Sequence, residues 1–179
     1  DCADKLCKNA RTATAILFGC GVGNSDEAYR LLCALIDNTS CPIVIDADGI
    51  NSLAPHINEL KDNTGRLILT PHIKEFSRLS GLDTDYILRH KLSCAKDFSV
   101  KYGVHVLLKD AYSVYAAPDG FIAVNMSGNA ALAKGGSGDT LAGTIGGLLA
   151  QGIETGNAVR LGAYLFGLSA QYAARERSM

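Results

Sequence analysis

The chain has 179 residues, 47% of them hydrophobic and 20% charged, with 17 basic against 18 acidic side chains. That length gives one domain with a sizeable core, and the apolar content excludes disorder. A net charge of −1 without a basic run excludes nucleic-acid binding by phosphate neutralisation, and no apolar stretch approaches the roughly 20 residues that cross a bilayer.

The first apolar run, Thr14-Ala15-Ile16-Leu17-Phe18-Gly19, reads as a buried strand and ends in the loop Gly19-Cys20-Gly21-Val22-Gly23. Ser25 or Asp26 then caps a helix whose apolar face is Ala28, Leu31, Leu32, Leu35 and Ile36. Ile43-Val44-Ile45 is a second strand, closed by Asp46 and Asp48, and Leu67-Ile68-Leu69 is a third, followed by Thr70-Pro71-His72 and a helix over 73–79. The spacing predicts one long helix over 84–102, with Ile87, Leu88, Leu92, Ala95 and Phe98 on one face. A fourth run, Val104 to Leu108, ends in Lys109. Tyr112–Tyr115 and Phe121–Val124 flank Pro118-Asp119-Gly120, a hairpin signal, and helices follow over 140–150 and from 155 to about 175.

Strand, loop and helix in alternation predict an α/β domain, with a mostly parallel sheet covered by helices on both faces and 1–179 as one unit. In such sheets ligands bind beyond the carboxyl ends of the strands. The Gly19–Gly23 loop, Asp46, Asp48, Asn51, His72 and Lys109 all stand there and form a group. The six cysteines include no CxxC pair and read as reduced structural thiols, Cys20 and Cys33 among apolar neighbours, with no metal cluster.

The sharpest local feature is Lys134-Gly135-Gly136-Ser137-Gly138-Asp139-Thr140. Glycines allow consecutive N–H groups to converge on one anion, and the helix that follows turns its free N–H groups and positive dipole end to the same spot. Asp139, at that helix terminus, is placed to take a proton from a hydroxyl attacking phosphorus. The alternative is a tight turn with Asp139 as a cap. The segment lacks the ending of a Walker A loop, and neither glycine run fits the dinucleotide fingerprint. His56, His90 and His105 read as structural.

In order and spacing, Val44-Ile45-Asp46-Ala47-Asp48-Gly49-Ile50-Asn51, Leu69-Thr70-Pro71-His72, Leu107-Leu108-Lys109 and Gly135-Gly136-Ser137-Gly138-Asp139 resemble the ADP- or ATP-dependent NAD(P)H-hydrate dehydratases, members of the ribokinase-like superfamily. The resemblance covers nearly the whole chain and implies a reaction. The S epimer of C6-hydrated NADH or NADPH is phosphorylated on its hydroxyl and phosphate is then eliminated, which repairs the cofactor.

On this resemblance Asp139 is the base, and Gly136, Ser137 and Gly138 are the anion hole. Gly23, Asn51, His72 and Asp139 contact the hydrated nucleotide. Lys109, Asp110, Ala111, Tyr112 and Ser113, with Gly138, hold the adenine nucleotide. Mg²⁺ bridging phosphate oxygens is implied, without a dedicated protein cage. So are a cytoplasmic homotetramer and an NAD(P)H-hydrate epimerase as functional partner, separate or fused. Asp110, Ile73-Lys74 and Phe166 depart from the residues common at these places in the family. The chain opens on Asp1 and stops at Met179 within a helical pattern, and against the family pattern it reads as the nucleotide-binding and catalytic bulk of a larger enzyme. The alternatives are a ribokinase-like kinase of a vitamin precursor or sugar, and a nucleotide-binding protein without turnover.

Overall fold

The computed structural model describes residues 2–60 and 65–177. Its sheet has the order β1 (Ile16–Phe18), β2 (Ile43–Ile45), β3 (Leu67–Leu69), β4 (His105–Leu108), β5 (Ser113–Ala116) and β6 (Ile122–Asn125). The first four strands are parallel, with Ile16 beside Ile43, Ile43 beside Leu67, and Ile68 beside His105; β5 and β6 are added antiparallel. The expected hairpin is therefore β5–β6, one residue later than the sequence pattern suggests in each strand.

Because side chains alternate along a strand, the sheet divides its apolar residues between two cores. Ile43, Ile45, Leu67, Leu69, Val106 and Leu108 face one side, against α1 (Cys2–Ala10), α2 (Asp26–Asn38), α3 (Asp48–Leu53), α4 (Ile73–Ser80), α5 (Thr84–Arg89) and α6 (Lys91–Tyr102). Val44, Ile68, Leu107 and Tyr115 face the other, against α7 (Ser137–Ala150) and α8 (Thr155–Arg177). Burial on both faces explains why the parallel strands read as unbroken apolar runs. No helix among the described residues is long and apolar enough to cross a membrane.

The single helix expected over 84–102 is two. His90 leaves helical geometry (φ −129°, ψ 31°), and its N–H bonds to both Tyr86 O and Ile87 O, closing α5 before α6 begins. The change of direction buries Ile87, Ala95 and Phe98 but leaves Leu88 and Leu92 exposed. Helix α7 starts at Ser137, three residues before the expected Thr140, so the glycine-rich segment supplies its first turn. Cys7, Cys20, Cys33, Cys41 and Cys94 form no disulfide; the Cys2 thiol lies outside the described side chains.

Candidate active site

The parallel strands deliver their carboxyl ends to one place. After Phe18 the chain passes directly over the backbone of Asp46. Gly19 has φ +118°, and a Cβ there would lie 1.9 Å from Asp46 O. This close approach sets Cys20 beside Asp46. Gly23, further along the loop, donates its N–H to Asp48 Oδ2 at 3.0 Å.

Asp46, at the end of β2, is 1% exposed. A carboxylate so buried needs a partner, and Lys109 at the end of β4 provides it, with Nζ donating to Oδ1 at 2.7 Å. The first turn of α7 lies over this pair: a Cβ on Gly138 would stand 3.4 Å from Lys109 Nζ and 3.5 Å from Asp46 Oδ2.

Gly136, in left-handed conformation at φ +81°, opens α7, and no side chain caps the helix. By contrast, Ser25, His72 and Asp83 cap α2, α4 and α5 with their side chains. The Ser137 N–H donates to Lys134 O at 3.3 Å, the N–H groups after it meet no capping side chain, and the dipole favours an anion there. Asp139 is exposed in this first turn, and its carboxylate, the Asp46 carboxylate and the Cys20 sulfur lie within 4.8 Å of one another.

Cys20 packs against the core beneath α7, as its apolar sequence neighbours suggest, and it also faces two carboxylates. Burial, a hydrogen bond to Asp139 and the negative charges of Asp139 and Asp46 push its thiol up to about 11, against a smaller opposing effect of Lys109. The signal for its position was the glycine loop at a strand end. A protonated thiol and a carboxylate engaged by lysine do not make a cage for a hard cation, which takes oxygen ligands and keeps its waters. The donor set fits a Mg²⁺ carried in by nucleotide phosphates.

The other expected residues divide between those joined to this centre and those turned away from it. His72 is joined to Lys109 by a parallel bridge and caps α4. Its Nδ1 accepts from Lys74 N at 3.1 Å and Glu75 N at 3.2 Å, and Glu75 Oε2 accepts from His72 N at 2.8 Å. Nδ1 is therefore unprotonated, and the neutral ring carries its hydrogen on Nε2, 3.4 Å from Glu75 Oε1. Asn51, in α3, accepts at Oδ1 from Arg78 Nη1 at 2.8 Å. Of the 109–113 segment only Lys109 reaches the centre. Asp110 turns away to Lys91; burial pushes its carboxyl up, but the Lys91 and Ala111 hydrogen bonds and the lysine charge outweigh this and hold it below the usual range. Ala111 and Tyr112 are exposed, and Ser113 Oγ donates to Asp110 O. A cavity of about 430 Å³ opens between the start of α7 (Gly136, Ser137, Thr140) and α8 (Phe166, Ser169, Ala170).

The model of the NAD(P)H-hydrate dehydratase family matches residues 2–179. The chain is 38% identical over 173 residues to the ADP-dependent (S)-NAD(P)H-hydrate dehydratase of Neisseria meningitidis, covering 95% of this chain and 58% of that protein. It is 37% identical over 177 residues to a bifunctional NAD(P)H-hydrate repair enzyme of Moorella thermoacetica, covering 99% of this chain and 33% of that one. The ADP/ATP-dependent NAD(P)H-hydrate dehydratase of Bacillus subtilis, crystallised with ATP and Mg²⁺, superposes with a TM-score of 0.82 at 30% identity, over 95% of this chain and 61% of that one. The chain thus spans between a third and about three fifths of the length of these relatives. The ribokinase-like architecture expected from the sequence stands. The chain belongs to the NAD(P)H-hydrate dehydratase family.

Proposed function

We propose that this chain carries the catalytic centre for ADP- or ATP-dependent dehydration of the S epimer of C6-hydrated NADH or NADPH. The observation that carries the reading is Asp139 in the uncapped first turn of α7, beside Gly136–Gly138 and at the carboxyl ends of the parallel strands. Asp139 takes the proton from the C6 hydroxyl as that oxygen attacks the terminal phosphorus of the nucleotide. The bond to the leaving nucleotide breaks, and the Gly136-Ser137-Gly138 turn at the positive end of α7 receives the charge on the transferring phosphoryl group. The C6–O bond of the phosphate ester then breaks, phosphate leaves with the bonding pair, and loss of a proton from the neighbouring ring carbon restores the double bond.

Lys109, with the segment to Ser113, and Gly138 hold the adenine nucleotide. Gly23, Asn51 and His72 line the side on which the hydrated nicotinamide enters. Mg²⁺ supplies charge neutralisation on the phosphates and is held through them by the residues that bind them; relatives of this chain include an enzyme crystallised with ATP and Mg²⁺. The assembly is a cytoplasmic homotetramer, and an epimerase supplies the S epimer, an arrangement in keeping with the bifunctional relatives.

The test is chemically hydrated NADH with ADP, Mg²⁺ and protein, followed by recovery of the reduced-nicotinamide absorbance, with ATP in parallel. Recovery is expected. Absence of recovery while ADP still binds, both in this chain and in a protein carrying it at the full length of its relatives, overturns the reading. A phosphorylated product that accumulates without recovery indicates a small-molecule kinase.

A further inference from the structure

We propose that Asp46 is a positioning residue that acts through Lys109, fixing the lysine ammonium under the first turn of α7, where it meets the phosphate of the nucleotide. The inference rests on the reading of that turn as the phosphate site. A lysine is a point charge on a four-carbon stem that samples many rotamers, so its usefulness to a single phosphate depends on what fixes it. Here both ends are held. The Lys109 backbone N–H donates to Pro71 O at 2.7 Å, and its Nζ donates to Asp46 Oδ1 at 2.7 Å.

The Asp46 backbone is itself held, with its N–H on Phe18 O and its carbonyl accepting from Gly49 N, both at 3.0 Å. The ammonium stands against the face of Gly138 that has no side chain, because a Cβ there would come within 3.4 Å of it. The pair also settles a charge problem. Asp46 and Asp139 lie within 4.8 Å of each other, and an uncompensated Asp46 would repel the phosphate that Asp139 must serve. Paired, Asp46 presents the neighbouring ammonium to the anion and cancels its own charge.

The test is a double-mutant cycle read by ADP affinity, which is measurable by calorimetry whether or not the chain turns over. Asp46→Asn and Lys109→Met should each weaken ADP about tenfold and flatten the salt dependence of binding. The double variant should bind no more weakly than the worse single one. Asp46→Glu should recover part of the loss. Losses that multiply in the double variant, or tighter ADP binding in Asp46→Asn, overturn the proposal; the second would show Asp46 acting only as a negative charge near the anion. Should Asp46→Asn fail to fold, Lys109→Met decides, since unchanged ADP affinity and salt dependence there also overturn it. A wild-type protein that binds ADP with the expected coupling but restores no NADH would sink the function and leave this inference standing.

Discussion

Lys109 Nζ donates to Asp46 Oδ1 across the tips of β4 and β2, two strands separated in the sheet by β3. One ion pair thus joins carboxyl ends that the sheet does not pair directly, and α7 begins over it. The pair cancels its own charge, and the Asp139 carboxylate remains beside it. On the proposed function, phosphate would be met there by backbone N–H groups and one fixed ammonium, with no need for a basic surface.

If Asp139 is the base, its removal should separate binding from turnover. Asp139→Asn keeps the size and the helix terminus but cannot take a proton. Calorimetry should give ADP affinity close to wild type, while the rate of NADH recovery falls by about 10²–10⁴-fold. Near-full turnover would remove Asp139 from that role.

Gly138 should show stability and activity moving apart. It lies in α7 without positive φ, and a Cβ there would make ordinary contact, 3.4 Å from Lys109 Nζ and 3.5 Å from Asp46 Oδ2. Gly138→Ala is therefore expected to hold or raise the unfolding midpoint, since alanine is favoured over glycine in a helix by about 1 kcal/mol. The same methyl fills the face between ammonium and phosphate, so kcat/KM for the nucleotide should drop at least about tenfold. A drop in stability with unchanged kcat/KM would contradict this assignment of space.

Gly19 should behave in the opposite way. Its φ of +118° and the 1.9 Å approach of an added Cβ to Asp46 O leave no room that a side-chain movement could supply, because the obstacle is backbone. Gly19→Ala should cost more than about 3 kcal/mol in denaturant unfolding. Wild-type stability would mean that the loop is not seated on β2 as described.

His105 gives the stability a pH dependence. It is buried on β4, with Nδ1 2.7 Å from the Tyr115 hydroxyl, and burial holds its pKa below the ordinary 6.5 despite opposing contributions led by Glu154. The unfolded chain takes up a proton near 6.5 that the folded chain refuses. The contribution is therefore complete above that value and is lost as pH falls through the lowered folded value. Urea midpoints at about pH 7.5 and 5 should differ more in wild type than in His105→Gln. Equal differences would show that the histidine charges freely in the fold.

Much of this was legible in the sequence, because the strongest signals were local. Ile43-Val44-Ile45 and Leu67-Ile68-Leu69 read as strands buried on both faces, and polar residues that the sheet brings to the site, Asp46 and His72, follow within three positions. The glycines around Asp139 told of a helix start with free N–H groups. What stayed hidden depends on distant neighbours. His90 breaks a continuous apolar pattern without proline or glycine, so the α5–α6 boundary left no trace, and Leu88 and Leu92 were assigned to a core they do not enter. Cys20 meets Asp46 and Asp139 only because three separate segments converge; nothing within several residues of it announces a carboxylate. Lys109 reads from the sequence as a surface charge or a phosphate contact, and nothing local announces the carboxylate that holds it, 63 positions earlier in the chain.

That convergence at Cys20 is itself testable. With the thiol pushed up to about 11, roughly one molecule in a thousand is thiolate at pH 8, against roughly one in ten at the ordinary 9.0. Iodoacetamide labelling of the Cys20 peptide, followed by mass spectrometry, should therefore run on the order of 100-fold slower than labelling of a free cysteine peptide. Burial accounts for the largest part of the shift, so slow labelling alone does not identify the neighbours. Asp139→Asn does, because it removes both the accepting carboxylate and its charge. In that variant the thiol should ionise more readily and labelling should accelerate, with the unfolding midpoint unchanged. A labelling rate indifferent to Asp139 would separate the two residues and with them the cluster of sulfur and carboxylates at the start of α7.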